Sequence, residues 1–416
     1  MTKTEPAPER PTAELRVTAP ASPSLGRRVV KFLGSLRLTV VFLLFGVALV
    51  FIGTIAQVDE GLYGAQHRYF RSLLIYWQPK GADWKLPVFP GGYFVGGVLL
   101  VNLVFAHAQR MKNWRNKIGL LIIHSGLVLL FVGQFATDLL SIESGMQLFE
   151  GESKNYSEDF RGTELVIVDT TFSADKERTY SIPSSLLKAG GDIRDARLPV
   201  ALRVKKFWGN AGLVEPRTNN PPMAIASGAT AGDLREILVI PTPGVADPES
   251  RNMPAAVIEV LAGDKSVGSF LASPLISRPE KFTVNGKQYE IALRSTRYYH
   301  PFNLTLLKAT HEKYKGTEIP KNFASRVKVE NASKNESRET VIYMNNPLRY
   351  SGLTFFQYQM GADEAAMRAG QKPSSTFQVV RNPSWLTPYL SCVMISAGLI
   401  IQFMQHLVGF VRKRTS

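Results

Sequence analysis

Ile118–Ala136 reads IGLLIIHSGLVLLFVGQFA: nineteen residues with no Lys, Arg, Asp or Glu. The run is long enough to cross a bilayer as a helix. Gly119, Gly126 and Gly133 recur every seven residues along it. Small residues at two-turn spacing let a neighbouring helix approach closely. His124 lies two positions from Gly126, about 200° around a helix axis, so it turns away from that stripe. An ionisable ring in hydrocarbon needs a partner. Imidazole is also a common metal ligand. On the residues alone, His124 is either a ligand or a packed histidine bonded to a neighbouring helix.

Three more runs share this character: Leu38–Ala56, Gly92–Gln109 and Trp385–Phe410. None carries Lys, Arg, Asp or Glu, and each approaches the roughly 20 residues a spanning helix needs. The pattern predicts a multi-pass α-helical membrane protein with four transmembrane helices, at about 38–56, 92–109, 118–136 and 385–411. Gly46 and Gly53, again seven apart, mark the first as another close-packing helix. That first run starts too late and is too long for a simple cleaved signal peptide, so it is expected to be retained.

The net charge is +15, and its distribution matters more than its size. Arg27, Arg28, Lys31 and Arg37 precede the first run. Arg110, Lys112, Arg115 and Lys117 separate the second from the third, and Arg412, Lys413 and Arg414 follow the fourth. By the positive-inside rule both termini face the cytoplasm, and the long segment 138–384 lies outside the cytoplasmic membrane. Nucleic-acid binding, the usual alternative for a basic chain, fits poorly with charges that flank membrane segments. Residues 1–30, rich in Pro, Thr, Ala and Glu, read as a disordered cytoplasmic tail. Residues 412–416 read as a short basic one.

The outer loop 57–91 is dense in aromatics: Tyr63, Tyr69, Phe70, Tyr76, Trp77 and Trp84. An interfacial belt is the expectation, with a platform for an apolar ligand as the alternative. The segment 138–384 reads as β-rich, sandwich-like or barrel-like. Alternation appears at Thr163–Asp169, Val200–Phe207, Ala256–Ala262, Phe282–Leu293, Val327–Glu330 and Thr340–Tyr343. Asn285-Gly286 is a type I′ hairpin signal. Pro and Gly punctuate 209–254, and 210–255 matches no recognisable pattern.

Chemistry-bearing motifs are sparse. The single cysteine, Cys392, lies in the fourth run, so no intrachain disulfide and no CxxC is possible. No Walker A, GxGxxG, GxSxG or HExxH occurs, and the carboxylates form no evident acid–base pair. His300 and His311 read as surface residues of the outer domain. His107 and His406 sit where their rings can snorkel to the inner headgroups. His124, about 10 Å in from Lys117 along the helix, is too deep for that.

The layout resembles the ResB (CcsB) family of cytochrome c biogenesis proteins. SLRLTVVFLLFGVALVFIGTIAQ at 35–57 is similar to that family's opening helix, and IIHSGLVLLFVGQF at 122–135 to its third. EGE at 150–152 and MNNPLRYSGLTFFQYQM at 344–360 are similar to its outer segments. The resemblance implies a subunit that pairs with a CcsA/ResC-type WWD-domain membrane protein. Together they convey haem outward and support its attachment to apocytochrome c. It implies haem b as a transient group shared with the partner, and His124 as one axial ligand of its iron. A second ligand would come from a partner helix, and no catalytic residue is expected within the chain. The alternative is a membrane-anchored β-domain, a scaffold or sensor, with a structural intramembrane His124.

Overall fold

The computed structural model describes residues 24–79, 84–110, 117–173, 177–217, 220–245, 251–263, 265–314, 317, 320–361 and 370–415. The expected tail therefore lies outside the described residues as far as residue 23. From Leu25 the chain is already helical, which corrects the extent of that tail. Helix α1, Leu25–Leu33, is followed by α2, Leu36–Ala65. Further on come α3, Gly92–Arg110, and α4, Ile118–Leu140; a short α5, Ser184–Ala189, precedes α6, Thr387–Thr415. Four of these, α2, α3, α4 and α6, are long and apolar enough to cross a membrane. The chain is a multi-pass membrane protein with a large β-rich domain.

α2 outruns its expected end at Ala56. Backbone hydrogen bonds do not stop where the apolar side chains do, so the helix continues through Asp59 and Glu60 to a break at Gly61, φ 70°. α6 likewise continues through Arg412, Lys413 and Arg414. Cations there complement the partial negative charge of a helix C-terminus.

The chain divides into two compact units, residues 1–49, 73–129 and 390–416, and residues 50–72 and 130–389. In the first unit α4 lies against α6 backbone to backbone. A Cβ added at Gly119 would come within 2.7 Å of the Gln402 nitrogen and 2.8 Å of the Gly398 oxygen. One added at Gly398 would meet the Ile123 nitrogen at 2.9 Å, and one at Gly126 would meet Ile395 Cγ1 at 2.8 Å. The glycine stripe thus has one occupant, α6. On the other side α1, α2 and α3 are tied by side-chain amides. Asn102 Nδ2 donates to the oxygens of Leu33 (2.6 Å) and Ser35 (3.1 Å), and Asn102 Oδ1 accepts from Thr39 Oγ1 (2.6 Å). Gln109 Nε2 donates to the Val30 oxygen at 2.6 Å. The aromatic loop folds as a hairpin of Leu74–Trp77 with Leu86–Pro90, its Phe89 ring edge-on to Phe45 at 5.6 Å.

The second unit holds the β-rich domain. Its largest sheet has ten strands and is organised by two long ones, Ser153–Asp169 and Lys287–Lys313, paired antiparallel. Register shifts at Ser295/Arg297 and Tyr299/Leu304 bend the pair, as bulges do. One half of the sheet curls into a nearly closed, barrel-like arrangement around Met146, Phe302, Leu304, Val327, Phe355 and Phe377. The other half packs its Leu165, Ile167, Ile291 and Leu293 against a four-stranded sheet that carries Leu202, Ile258 and Phe270.

Segment 210–255, opaque in the sequence, supplies a three-stranded sheet of Ala211–Val214, Leu238–Pro241 and Ile225–Ala226. It covers the far face of the four-stranded sheet, against Ala255, Val257 and Leu271. The strand Ala255–Ala262, AAVIEVLA, is therefore buried on both faces and is apolar at every position but Glu259. Asn285 and Gly286 both take positive φ, 51° and 75°, as a type I′ turn requires. The same device, Ser351 at 50° and Gly352 at 78°, joins Leu348–Tyr350 to Leu353–Met360.

Two outer histidines depart from the surface reading. His311 is 8% exposed with its ring edge-on to Phe323 at 4.5 Å. His300 stacks on Phe302 and shares a 3.0 Å hydrogen bond between its Nε2 and Ser157 Oγ. The bent strand carries both toward the barrel-like interior rather than along a flat outer face.

Two outcomes follow. Gly119→Leu should cost about 1–3 kcal/mol through overpacking, read as a lower Tm in detergent. Gly97→Ala, where an added Cβ meets open space, should leave Tm nearly unchanged. Burial also holds the His300 imidazolium below its ordinary pKa. The unfolded chain then takes up a proton near pH 6.5 before the native chain does. Stability should fall as pH drops through about 6.5, and His300→Gln should flatten that fall in Tm measured between pH 7.5 and 5.

Candidate functional site: a histidine pair between two helices

His124 sits on α4, and its Nδ1 lies 2.7 Å from the Leu120 oxygen. A carbonyl can only accept, so Nδ1 is the donor in this contact. Such second contacts orient ligating histidines and set their tautomer. The ring faces α3 because the opposite face of α4 is taken up by α6.

Opposite it on α3 is His107. The ring centroids are 6.3 Å apart and the planes 32° from parallel. His107 was expected to snorkel to the headgroups; it turns to His124 instead. The reason is the anchoring of α3. Asn102 and Gln109 lie on one helical face, seven residues apart, and that face is bonded to α1 and α2. His107 is two residues from Gln109, about 200° around the axis, and so points the other way.

Nδ1 of His107 is buried and has no hydrogen-bond partner. Lys117, Leu120 and Leu121 complete the lining, and the enclosed space is too tight for water. Among the described residues no group of three or more His, Cys, Asp or Glu side chains converges elsewhere as a metal site. His406 lies 2.8 Å from Gln402 Nε2, one turn away on α6.

Sequence reasoning singled out His124 and missed both His107 as its neighbour and Asn102 as the anchor. Asn102 had a local signal, a lone amide within the apolar run Gly92–Gln109. His107 had none, since pairing across helices leaves no fixed spacing. The acidic EGE segment proves to be a stitch in the outer domain. Glu150 Oε1 accepts from the Ala309 nitrogen at 2.7 Å, and the Gly151 nitrogen donates to the Leu306 oxygen at 2.8 Å. A cavity of about 630 Å³ lies beside Arg161, Lys188 and Lys206 in that domain.

Fold and site together define a multi-pass membrane protein with a histidine-bearing helical unit and a β-rich domain inserted before the last span. Residues 260–369 match the ResB-like family. They run from the strand Ala255–Ala262 to just beyond Leu353–Met360, within the β-rich domain. The chain is also 24% identical over 306 residues to Protein NrfI of Wolinella succinogenes, covering 73% of this chain. It spans 29% of that relative's length. The resemblance to ResB-type proteins therefore holds.

The amide anchor is directly testable. Asn102, 3% exposed, makes three hydrogen bonds to neighbouring segments. Asn102→Leu should cost about 1–3 kcal/mol, lowering Tm in detergent and raising hydrogen exchange across Leu25–Leu33.

Proposed function

We propose that this chain is a haem-handling subunit of cytochrome c biogenesis. It would act with a WWD-type membrane partner to convey haem outward for attachment to apocytochrome c. Haem is cargo here, and His124 is an axial ligand of its iron. The observation that carries this reading is the placement of His124: an imidazole within an apolar span, its ring oriented by the Nδ1 bond to the Leu120 oxygen and facing a second imidazole.

The ResB-like match supports the same reading. The orphaned Nδ1 of His107 supports the fit, since a buried unbonded nitrogen is what a site awaiting a ligand presents. Lys117 beside the pair suits the carboxylates of a porphyrin. The basic residues Arg27, Arg28 and Lys31 of α1, with Arg412–Arg414 of α6, support a cytoplasmic position for that end of the helices. The site then accepts haem from the cytoplasmic leaflet of the cytoplasmic membrane, and the β-rich domain meets partner and apocytochrome outside. Within this chain the residues bind and orient; attachment belongs to the complex.

The complex of this chain with its WWD-type partner, purified after co-expression, should show a six-coordinate haem spectrum. His124→Gly should lose most of the haem or its six-coordinate signature, and added imidazole should restore it. An unchanged spectrum in His124→Gly would remove the basis of the proposal.

A further inference from the structure

We infer that α1, Leu25–Leu33, is a binding surface for anionic phospholipid, held at the membrane boundary with its basic face on headgroup phosphates and its apolar face against acyl chains.

Three observations carry it. The first is the division of the helix. Its nine residues, LGRRVVKFL, hold three cations and no carboxylate. Arg27, Arg28 and Lys31 fall within an arc of about 100° around the helix axis, and Leu25, Val29, Val30 and Phe32 occupy the opposite side. All seven are exposed, Leu25 at 80% and Phe32 at 63%. A helix with separated basic and apolar faces suits the plane where phosphate and hydrocarbon meet. The charge bias between loops depends only on a count of Lys and Arg. It does not require that they share one face of a helix.

The second is the place of α1 among the spans. Gly34 and Ser35 alone separate it from α2, whose membrane-spanning stretch begins at Leu36. Gln109, the last residue of the α3 span, donates to the Val30 oxygen at 2.6 Å. Asn102, about 10 Å further into that span, donates to the Leu33 oxygen. Two spans thus hold α1 where the hydrocarbon ends, with Leu33 as its deeper end.

The third is the match of partner to surface. Nucleic acid would pair with the cations and leave the apolar face in water. A phospholipid of net negative charge satisfies both faces at once, and each basic side chain near an anionic leaflet adds to the attraction. Arg27 and Arg28 can each grip a phosphate with two parallel hydrogen bonds. Because Gln109 and Asn102 tie α1 to α3, the lipid contact also steadies the end of α3 that carries His107.

The test places the whole chain in nanodiscs of phosphatidylcholine, alone or mixed in equal parts with phosphatidylglycerol. Hydrogen exchange is followed across Leu25–Leu33, with Gly92–Arg110 as the internal control. At low salt, exchange in α1 should be at least about tenfold slower in the anionic nanodisc. Most of that difference should vanish in about 1 M NaCl. The triple variant Arg27→Gln, Arg28→Gln, Lys31→Gln should exchange at one rate in both lipids. Its Tm in phosphatidylcholine should match that of the wild type, because the Asn102 and Gln109 bonds go to backbone oxygens. Arg27→Lys with Arg28→Lys, which keeps the charge, should keep the slowing. Equal wild-type rates in the two lipids would overturn the inference, as would a triple variant that still responds to phosphatidylglycerol. If a single-stranded oligonucleotide added to the phosphatidylcholine nanodisc slows exchange as much as phosphatidylglycerol does, α1 recognises polyanions rather than lipid, and the inference fails.

Discussion

Backbone contact between α4 and α6 is the constraint on which the site depends. At Gly119 and Gly398 the two helices approach so closely that a single added carbon would collide with main-chain atoms. In lipid there is little hydrophobic drive between helices, so close packing and hydrogen bonds must hold them. Once the glycine face of α4 is committed to α6, geometry turns His124 away from it. α3 obeys the same logic with different chemistry. Its Asn102 and Gln109 are committed to α1 and α2, and His107 is turned away by the same angle. Two helices, each anchored through one face, present their histidines on the other.

The β-rich domain solves a different problem. Two long bent strands serve two cores at once, one in a barrel-like half and one in a sandwich-like half. The four-stranded sheet between the larger sheet and the small one is apolar on both faces. The segment that resembles the ResB family most visibly, 344–360, forms the hairpin that closes the barrel-like half, with Phe355 fully buried. The intramembrane pair lies outside the matched residues 260–369.

Much of the architecture was legible beforehand. The four spans follow from apolar length, and their limits shifted by a few residues only where a helix continued past its apolar stretch. The Asn285-Gly286 turn and six strands follow from local chemistry and alternation. The strand Lys265–Ala272 and the three small strands within 211–241 were not legible. Sheets covered on both faces, or made of very short strands, lose the period-two pattern that marks a strand. Two histidines of the outer domain were misjudged as surface residues because a bulge, invisible in the sequence, redirects them inward.

By itself the sequence determined that His124 lies in a spanning helix, opposite a stripe of glycines, because both facts depend only on composition and the helical period. It could not determine what His124 faces. That choice rests on which helix fills the glycine groove and which face of α3 its amides commit. Both are contacts between segments hundreds of residues apart, or across a loop with no fixed spacing. Tertiary structure alone brings His107 within 6.3 Å of His124 and leaves its Nδ1 buried without a partner, which sets a second imidazole beside the candidate ligand.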